Sequence, residues 1–290
     1  MLKYFVILFC LCISASLASA RIIETADIKK IEAELASLPQ KSLVTFDVAG
    51  VLFWPKDQIF IYDDKKEYKK YITALKTKYG NEKANKLISI ILKERQMILV
   101  DDAMPSLISS LQAREVKTIA LTSGYTGHFG KIKKREDLRI KTLKKLGIDF
   151  SSSFPDTKLI LTEAKDSRTK RAVSIFKKGI LFASRNDKGQ ILKLFLNQIG
   201  YSPTKIVHID NSKSRVQEVE NYANSADIEY LGIVFIKDRE KLSEKLDTKI
   251  ADKQFEILES EKTWISDEIT KCIVYQKQEL DVCRKQNGTH

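Results

Sequence analysis

Four short stretches of the chain end in residue types that could act together on a phosphoryl group. Asp47 follows the apolar run Ser42–Phe46, Thr122 and Ser123 follow Lys117–Leu121, and Asp210 and Asn211 follow Lys205–Ile209. Lys188 opens the helical pattern that leads into the third of these runs. A carboxylate such as Asp47 can attack phosphorus and form an aspartyl-phosphate, which divides one hard displacement into two easier ones. A magnesium ion between Asp47 and Asp210 would cancel the repulsion between nucleophile and phosphate, keeping several waters as this metal does. Thr122 with nearby backbone N–H groups would bind a phosphoryl oxygen, and Lys188 would fix the charges of nucleophile and phosphate. Taken singly, an Asp after a strand is a helix or turn cap, a Thr a turn hydroxyl and a Lys a solvated charge.

The elements that must position these residues can be read from periodicity. The three runs, with Tyr230–Ile236 as a fourth, are short and rich in β-branched residues, and helical patterns lie between them at Ser106–Arg114, Gly189–Ile199 and Ser212–Asn224. Strands alternating with helices predict an α/β fold, a Rossmann-like parallel sheet flanked by helices. Such sheets bind ligands at the carboxyl ends of their strands, where all of these polar residues fall.

Two inserts interrupt the pattern. Residues 54–102 carry two amphipathic helices: Tyr68, Ile72, Leu75 and Tyr79 share one face with Gly80 as a stop, and Ala84, Leu87 and Ile91 share the next. Placed directly after the first strand end, they predict a small helical cap above the site; packing on the flank of the sheet is the other reading. Between Phe150 and Ala183, Lys158–Thr162 and Gly179–Ala183 predict a strand hairpin around a basic helix. The expected division is a leader over 1–20, a core over 21–53 and 103–240, the cap over 54–102, and a helical C-terminal tail over 241–290 packed on the body.

Met1–Ala20 reads as a secretory signal, with Lys3 at its start, the apolar run Tyr4–Ile13, and Ala18-Ser19-Ala20 as a small-x-small cleavage site. The run is shorter than the roughly 20 residues of a membrane span, so none is expected after cleavage; a retained anchor is the alternative. Cys10 and Cys12 lack the preceding small residue of a lipid-attachment site. Export predicts a periplasmic or secreted protein.

The 290-residue chain has 43% hydrophobic and 30% charged residues with 11 Gly and 5 Pro, which excludes collagen-like and low-complexity classes. With Lys3 gone, 49 Lys and Arg face 38 Asp and Glu, a net charge of +11. That balance favours acidic partners such as phosphate esters, nucleic acid or anionic surfaces, and the partner expected is a phosphorylated or other anionic small molecule. Lys131–Lys145 holds eight basic residues, but a solvated helix face accounts for them, and no specific nucleic acid is expected. Cys272 and Cys283 remain after cleavage. If the stretch between them is helical they stand about 16 Å apart, beyond the roughly 4.4–6.8 Å of a disulfide, so no bridge is expected. His128, His208 and His290 are too few and too scattered for a zinc cluster. Phe53 and Trp54 are expected to pack where the cap leaves the body, and Asn287-Gly288-Thr289 matters only in a host that glycosylates.

The stretches FDVAGVL, ALTSG, NDKGQIL and HIDNS, in that order and each in its strand or helix context, resemble the four motifs of the haloacid dehalogenase (HAD) superfamily. The resemblance runs from about Ser42 to Ile236 and is nearest to a group of secreted bacterial HAD-like proteins of undetermined function, in which ALTS, KKLGIDF and NDKG recur. It implies Asp47, Thr122 and Lys188 as catalytic residues, Thr122, Ser123 and Lys188 as phosphate ligands, and magnesium held by Asp47, the Ala49 carbonyl, Asp210 and Asn211. The second acidic residue that often follows the fourth-motif Asp is here Asn211.

One departure bears on turnover. HAD phosphatases carry a general-acid Asp two residues after the nucleophile, and this chain has Ala49. Proton transfer of that kind contributes about 10²- to 10⁴-fold, so the expectation is a phosphohydrolase whose turnover is compromised or unusual. The alternatives are a binding protein that kept the scaffold, and a phosphonatase-like C–P lyase. Members of that last class resemble D-x-A-G at this motif and use a cap lysine, for which Lys56, Lys65, Lys66, Lys69 and Lys70 are present.

Overall fold

A computed structural model describes residues 20–61, 66–161, 173–237 and 246–288. Residues 1–19 of the expected leader, Lys65, the basic helix of the second insert, Thr289 and His290 lie outside the described residues, while Ala20, the last residue of the expected leader, opens the first strand. The strands are β1 (Ala20–Thr25), β2 (Ser42–Phe46), β3 (Phe53–Pro55), β4 (Met97–Leu99), β5 (Lys117–Thr122), β6 (Lys158–Leu161), β7 (Ser174–Lys177), β8 (Ile180–Phe182), β9 (Lys205–Asp210) and β10 (Glu229–Phe235). The helices are α1 (Ile28–Ala36), α2 (Lys66–Glu94), α3 (Met104–Ala113), α4 (Arg135–Lys145), α5 (Lys188–Ile199), α6 (Lys213–Ser225), α7 (Thr248–Glu261), α8 (Asp267–Gln276) and α9 (Leu280–Gln286).

Eight strands form one sheet in the order β1-β10-β9-β2-β5-β8-β7-β6, parallel from β1 through β8 and antiparallel in its last two pairings. The architecture is therefore α/β, a mostly parallel central sheet flanked by helices. Every residue of β2 is buried, as a strand covered on both faces must be. Alternation divides its side chains: Val44 and Phe46 join the core that α1, α3 and α4 cover, and Leu43 joins the one under α5 and α6. The chain builds outward from β2 to β5 and β8 on one side, then returns to place β9 and β10 on the other. That reversal puts a crevice at the carboxyl end of β2.

The first insert leaves and re-enters the body through the antiparallel pair β3–β4. Its long helix is two helices, broken at Gly80, whose φ of 73° an L side chain would strain. The second of them meets the loop after β5, where the Lys131 N–H donates to Ser89 Oγ at 2.7 Å.

Three sequence expectations change. The second insert is not a simple hairpin: β7 lies between β6 and β8 and pairs antiparallel with both. Its Ser174–Lys177 segment is too short and mixed in polarity to stand out. The tail, expected on the body, packs on the insert helices, with Phe255 and Leu258 of α7 sharing a core with Leu75, Leu87 and Ile91. Asp57 ties the two segments, accepting from Trp264 Nε1 at 2.9 Å and from the Asp267 N–H at 3.2 Å.

Cys272 and Cys283 form a disulfide with their Cα atoms 5.8 Å apart. The expectation of no bridge failed because the stretch is not one helix: α8 stops at Lys277, with φ 54°, and α9 restarts at Leu280, turning the chain back. Cys272→Ser should lower the unfolding free energy by about 2–3 kcal/mol, read by urea unfolding of oxidised wild type against the variant.

Candidate active site

Register aligns the strand-end residues. Phe46 sits opposite Ala120 of β5 and Ile209 of β9, and the Asp47 N–H donates to the Ile209 carbonyl at 2.8 Å. Asp47 and Asp210 thus emerge side by side at the reversal in strand order. Both share the face under α5, on which Leu43, Ile206 and the helix's own apolar residues pack. Lys188 is the first residue of that helix, capped by the Asp187 side chain, which accepts from the Gln190 N–H at 2.8 Å.

Lys188 reaches back under the sheet edge. Its Nζ lies 2.6 Å from Asp47 Oδ1 and 2.6 Å from Asp210 Oδ2, with the lysine side chain 1% exposed. Burial pushes the ammonium towards neutrality, but the two carboxylates outweigh it and hold its pKa above the usual value. Burial also raises the Asp210 carboxyl, yet Lys188 and then His208 reverse the effect and bring it to about 2. For Asp47 the balance falls the other way: burial wins over Lys188, the charge of Asp210 adds to it, and its pKa is raised.

The other expected residues surround this pair. Thr122 ends β5, 3% exposed, and its Oγ1 accepts from the Gly124 N–H at 3.2 Å, which turns the chain across the strand end. Ser123 follows, its carbonyl accepting from the Arg185 N–H at 3.2 Å. Asn211 lies against Gly50: a Cβ there would stand 2.2 Å from Asn211 Nδ2, and Gly50 has φ +93°, so glycine alone lets the loop after β2 close on the loop after β9. Ala49 is exposed at this loop. Lys188 is in direct contact with both Asp47 and Asp210; among the described residues no hydrogen bond joins Ser123 to them.

The donor set suits a hard cation. Asp47 and Asp210 offer carboxylate oxygens and Asn211 an amide beside them, the all-oxygen chemistry that magnesium takes. Among the described residues no group of three or more His, Cys, Asp or Glu is placed to hold a metal, so these two acids would be completed by the amide and by the Ala49 carbonyl.

Sequence reasoning missed His208. It is fully buried, opposite Thr45 across the β2–β9 pair, with Nδ1 2.7 Å from Thr45 Oγ1 and Nε2 3.3 Å from Asp210 Oδ2. The available signal was its position two residues before Asp210, on the same face of the strand. Missed too were Arg95, Arg135 and Arg139, which face a cavity beside the site. Of the cap lysines, Lys56 pairs with Glu268 and Lys70 with Glu67. His128 is exposed, and Phe53 and Trp54 are buried as expected.

Lys188→Met would leave two carboxylates buried without their cation and should cost about 3–5 kcal/mol at pH 7.5. Both acids of the variant would then protonate at a higher pH in the folded state than in the unfolded chain, so the loss should shrink as pH falls towards about 5. Wild-type Asp210 behaves oppositely: its contribution is present above the ordinary 3.8 and fades as pH drops through about 2. Urea unfolding of both proteins across this range checks the two signs.

A family model described as "Protein of unknown function (DUF2608)" matches residues 24–271. An uncharacterized protein of Rickettsia felis is 30% identical over 224 residues, covering 74% of this chain and 76% of its own. One from Rickettsia prowazekii is 26% identical over 268 residues, 91% of this chain and 95% of its own. A Chlamydia muridarum protein named "Putative outer membrane protein" is 43% identical over 60 residues, 21% of this chain and 23% of its own. No solved structure matches the chain. Among the described residues no helix is long and apolar enough to cross a membrane.

Proposed function

The chain belongs to the DUF2608 family, and from the geometry of the site we propose that it is an exported, magnesium-dependent phosphohydrolase of HAD type that works through an aspartyl-phosphate on Asp47. The observation that supports this most is Lys188 Nζ, placed 2.6 Å from both Asp47 Oδ1 and Asp210 Oδ2 at the carboxyl edge of a parallel sheet. A buried lysine shared by two acids holds the charge of a nucleophile and of an incoming phosphate together. The leader-like N-terminus, the disulfide and the outer-membrane name of the Chlamydia relative support export.

In the proposed reaction an Asp47 carboxylate oxygen attacks phosphorus while the ester oxygen departs with the bonding pair. Lys188 and the Thr122 region hold the phosphoryl oxygens in line. Asp47, Asp210, Asn211 and the Ala49 carbonyl would hold magnesium, which supplies charge neutralisation of the phosphate. Water then cleaves the acyl phosphate, releasing inorganic phosphate and restoring Asp47. No side chain at position 49 can protonate the leaving oxygen, so it takes its proton from water. Leaving groups that are stable as anions are therefore favoured.

The same Ala49 supports a second reading, a phosphate-ester binding protein that has lost turnover. Its exposure leaves room for Asp, so the two readings separate in one experiment. Hydrolysis of phenyl phosphate and of an alkyl phosphate is measured with magnesium for wild type, Asp47→Asn and Ala49→Asp. The hydrolase hydrolyses phenyl phosphate, loses that activity with Asp47→Asn, and gains about 10²- to 10⁴-fold on the alkyl ester with Ala49→Asp. No activity in any of the three folded proteins supports the binder.

A further inference from the structure

A cavity of about 260 Å³ lies where the insert meets the body, beside the site. The insert contributes Leu92, Lys93, Arg95 and Met97, the loop after β5 contributes Gly124 and Tyr125, and α4 contributes Arg135 and Arg139. Among the described residues that line it there are four cations and no carboxylate. Gathering like charges in a partly enclosed space is costly unless an anion joins them.

Among the described residues no salt bridge holds these arginines, although Asp57, Glu136 and Asp47 lie near enough to Arg95, Arg135 and Arg139 to interact with their charges. The Arg139 guanidinium lies over the Phe53 ring at 4.8 Å and that of Arg95 over Phe60 at 5.2 Å. Arg135 donates from Nε and Nη2 to the Thr126 carbonyl and sits 5.0 Å from the centre of the Tyr125 ring. Stacking fixes the plane of a guanidinium while leaving its N–H fork for an oxyanion. Arg95 Nε is buried with no hydrogen-bond partner among the described residues.

We infer that this cavity is a second anion subsite, which takes a phosphate or carboxylate at the far end of a substrate whose phosphoryl group is at Asp47. The inference rests on the phosphohydrolase reading for the second half of that statement only. Two further observations link the cavity to the site. Gly124, which lines the cavity, donates its N–H to Thr122 Oγ1. Arg139 is also close enough to Asp47 for the two charges to interact; burial and the repulsion of Arg95 bring its pKa down to about 10, which leaves it a cation at neutral pH. The volume is below the roughly 300–1,000 Å³ of a pocket that encloses a whole ligand, which fits one end group of a substrate.

The test measures, by calorimetry with magnesium, binding of wild type to three matched series with linkers of three to six carbons: alkyl monophosphates, ω-carboxyalkyl phosphates and alkanediol bisphosphates. At the matching linker length at least one doubly anionic series should bind tenfold or more tightly than the monophosphate. Which of the two does so identifies the end group as carboxylate or phosphate. Arg95→Gln and Arg139→Gln, measured separately and checked for folding by thermal melting, should each reduce that advantage to threefold or less. If either variant fails to fold, the salt dependence of the wild type replaces it. Raising NaCl from 50 to 300 mM should then weaken the favoured doubly anionic ligand more steeply than the monophosphate. Equal affinities across all three series, or an advantage that persists in both folded variants, would overturn the subsite. Phenyl phosphate hydrolysis reports separately on the reaction: a protein that prefers two anions but leaves phenyl phosphate intact keeps the subsite and loses the hydrolase.

Discussion

One ammonium group shared between two carboxylates sets the terms for the rest of the molecule. Lys188 is 1% exposed, and so far from water a lysine is tolerated only when opposite charge is fixed within hydrogen-bond reach. That requirement binds together three elements distant in sequence: β2 delivers Asp47, β9 delivers Asp210, and α5 must start where its first side chain falls between them. A one-residue slip of β2 against β9 would send Asp47 to the opposite face of the sheet and leave the lysine with half its partners. The apolar packing of Leu43, Ile206, Ile191 and Leu192 under α5 keeps that register and that helix position. Core and site are therefore one arrangement, in which apolar contacts hold charges where they compensate each other.

The compensation is uneven. Three charges in contact sum to one negative, and the two acids do not share it equally: at Asp210 burial is outweighed by Lys188 and His208, whereas at Asp47 burial outweighs Lys188. Their pKa values separate in consequence. The two acids therefore differ in how firmly each holds its charge, Asp210 the more firmly.

The central strands and the residues at their ends could be read in the sequence because each signal was local. Ser42–Phe46 and Lys205–Ile209 are short β-branched runs that stop at a carboxylate, and neither needs a distant residue to be recognised. The readings that failed depended on what lay between two points. The ten residues between the cysteines, without Gly or Pro, looked like one helix, and Lys277 in a left-handed conformation turned them into two and brought the cysteines together. β7 was overlooked because four residues of mixed polarity give too little pattern. The arginine cavity had no sequence signal, since its lining comes from the end of the insert, the loop after β5 and α4, which meet only in the fold. His208 was hidden for another reason: in a strand with Ile206 and Ile209 it reads as one more inward position.

The docking of α7 on the insert helices has a mechanical consequence. An insert that leaves through β3 and returns through β4 has a two-stranded stem, about which it could swing as a lid. Here the chain visits the same layer a third time, after β10, and Asp57 clasps that returning segment at Trp264 and Asp267. A lid moored at both its stem and its far-sequence partner has fewer soft directions than one held by a ribbon alone.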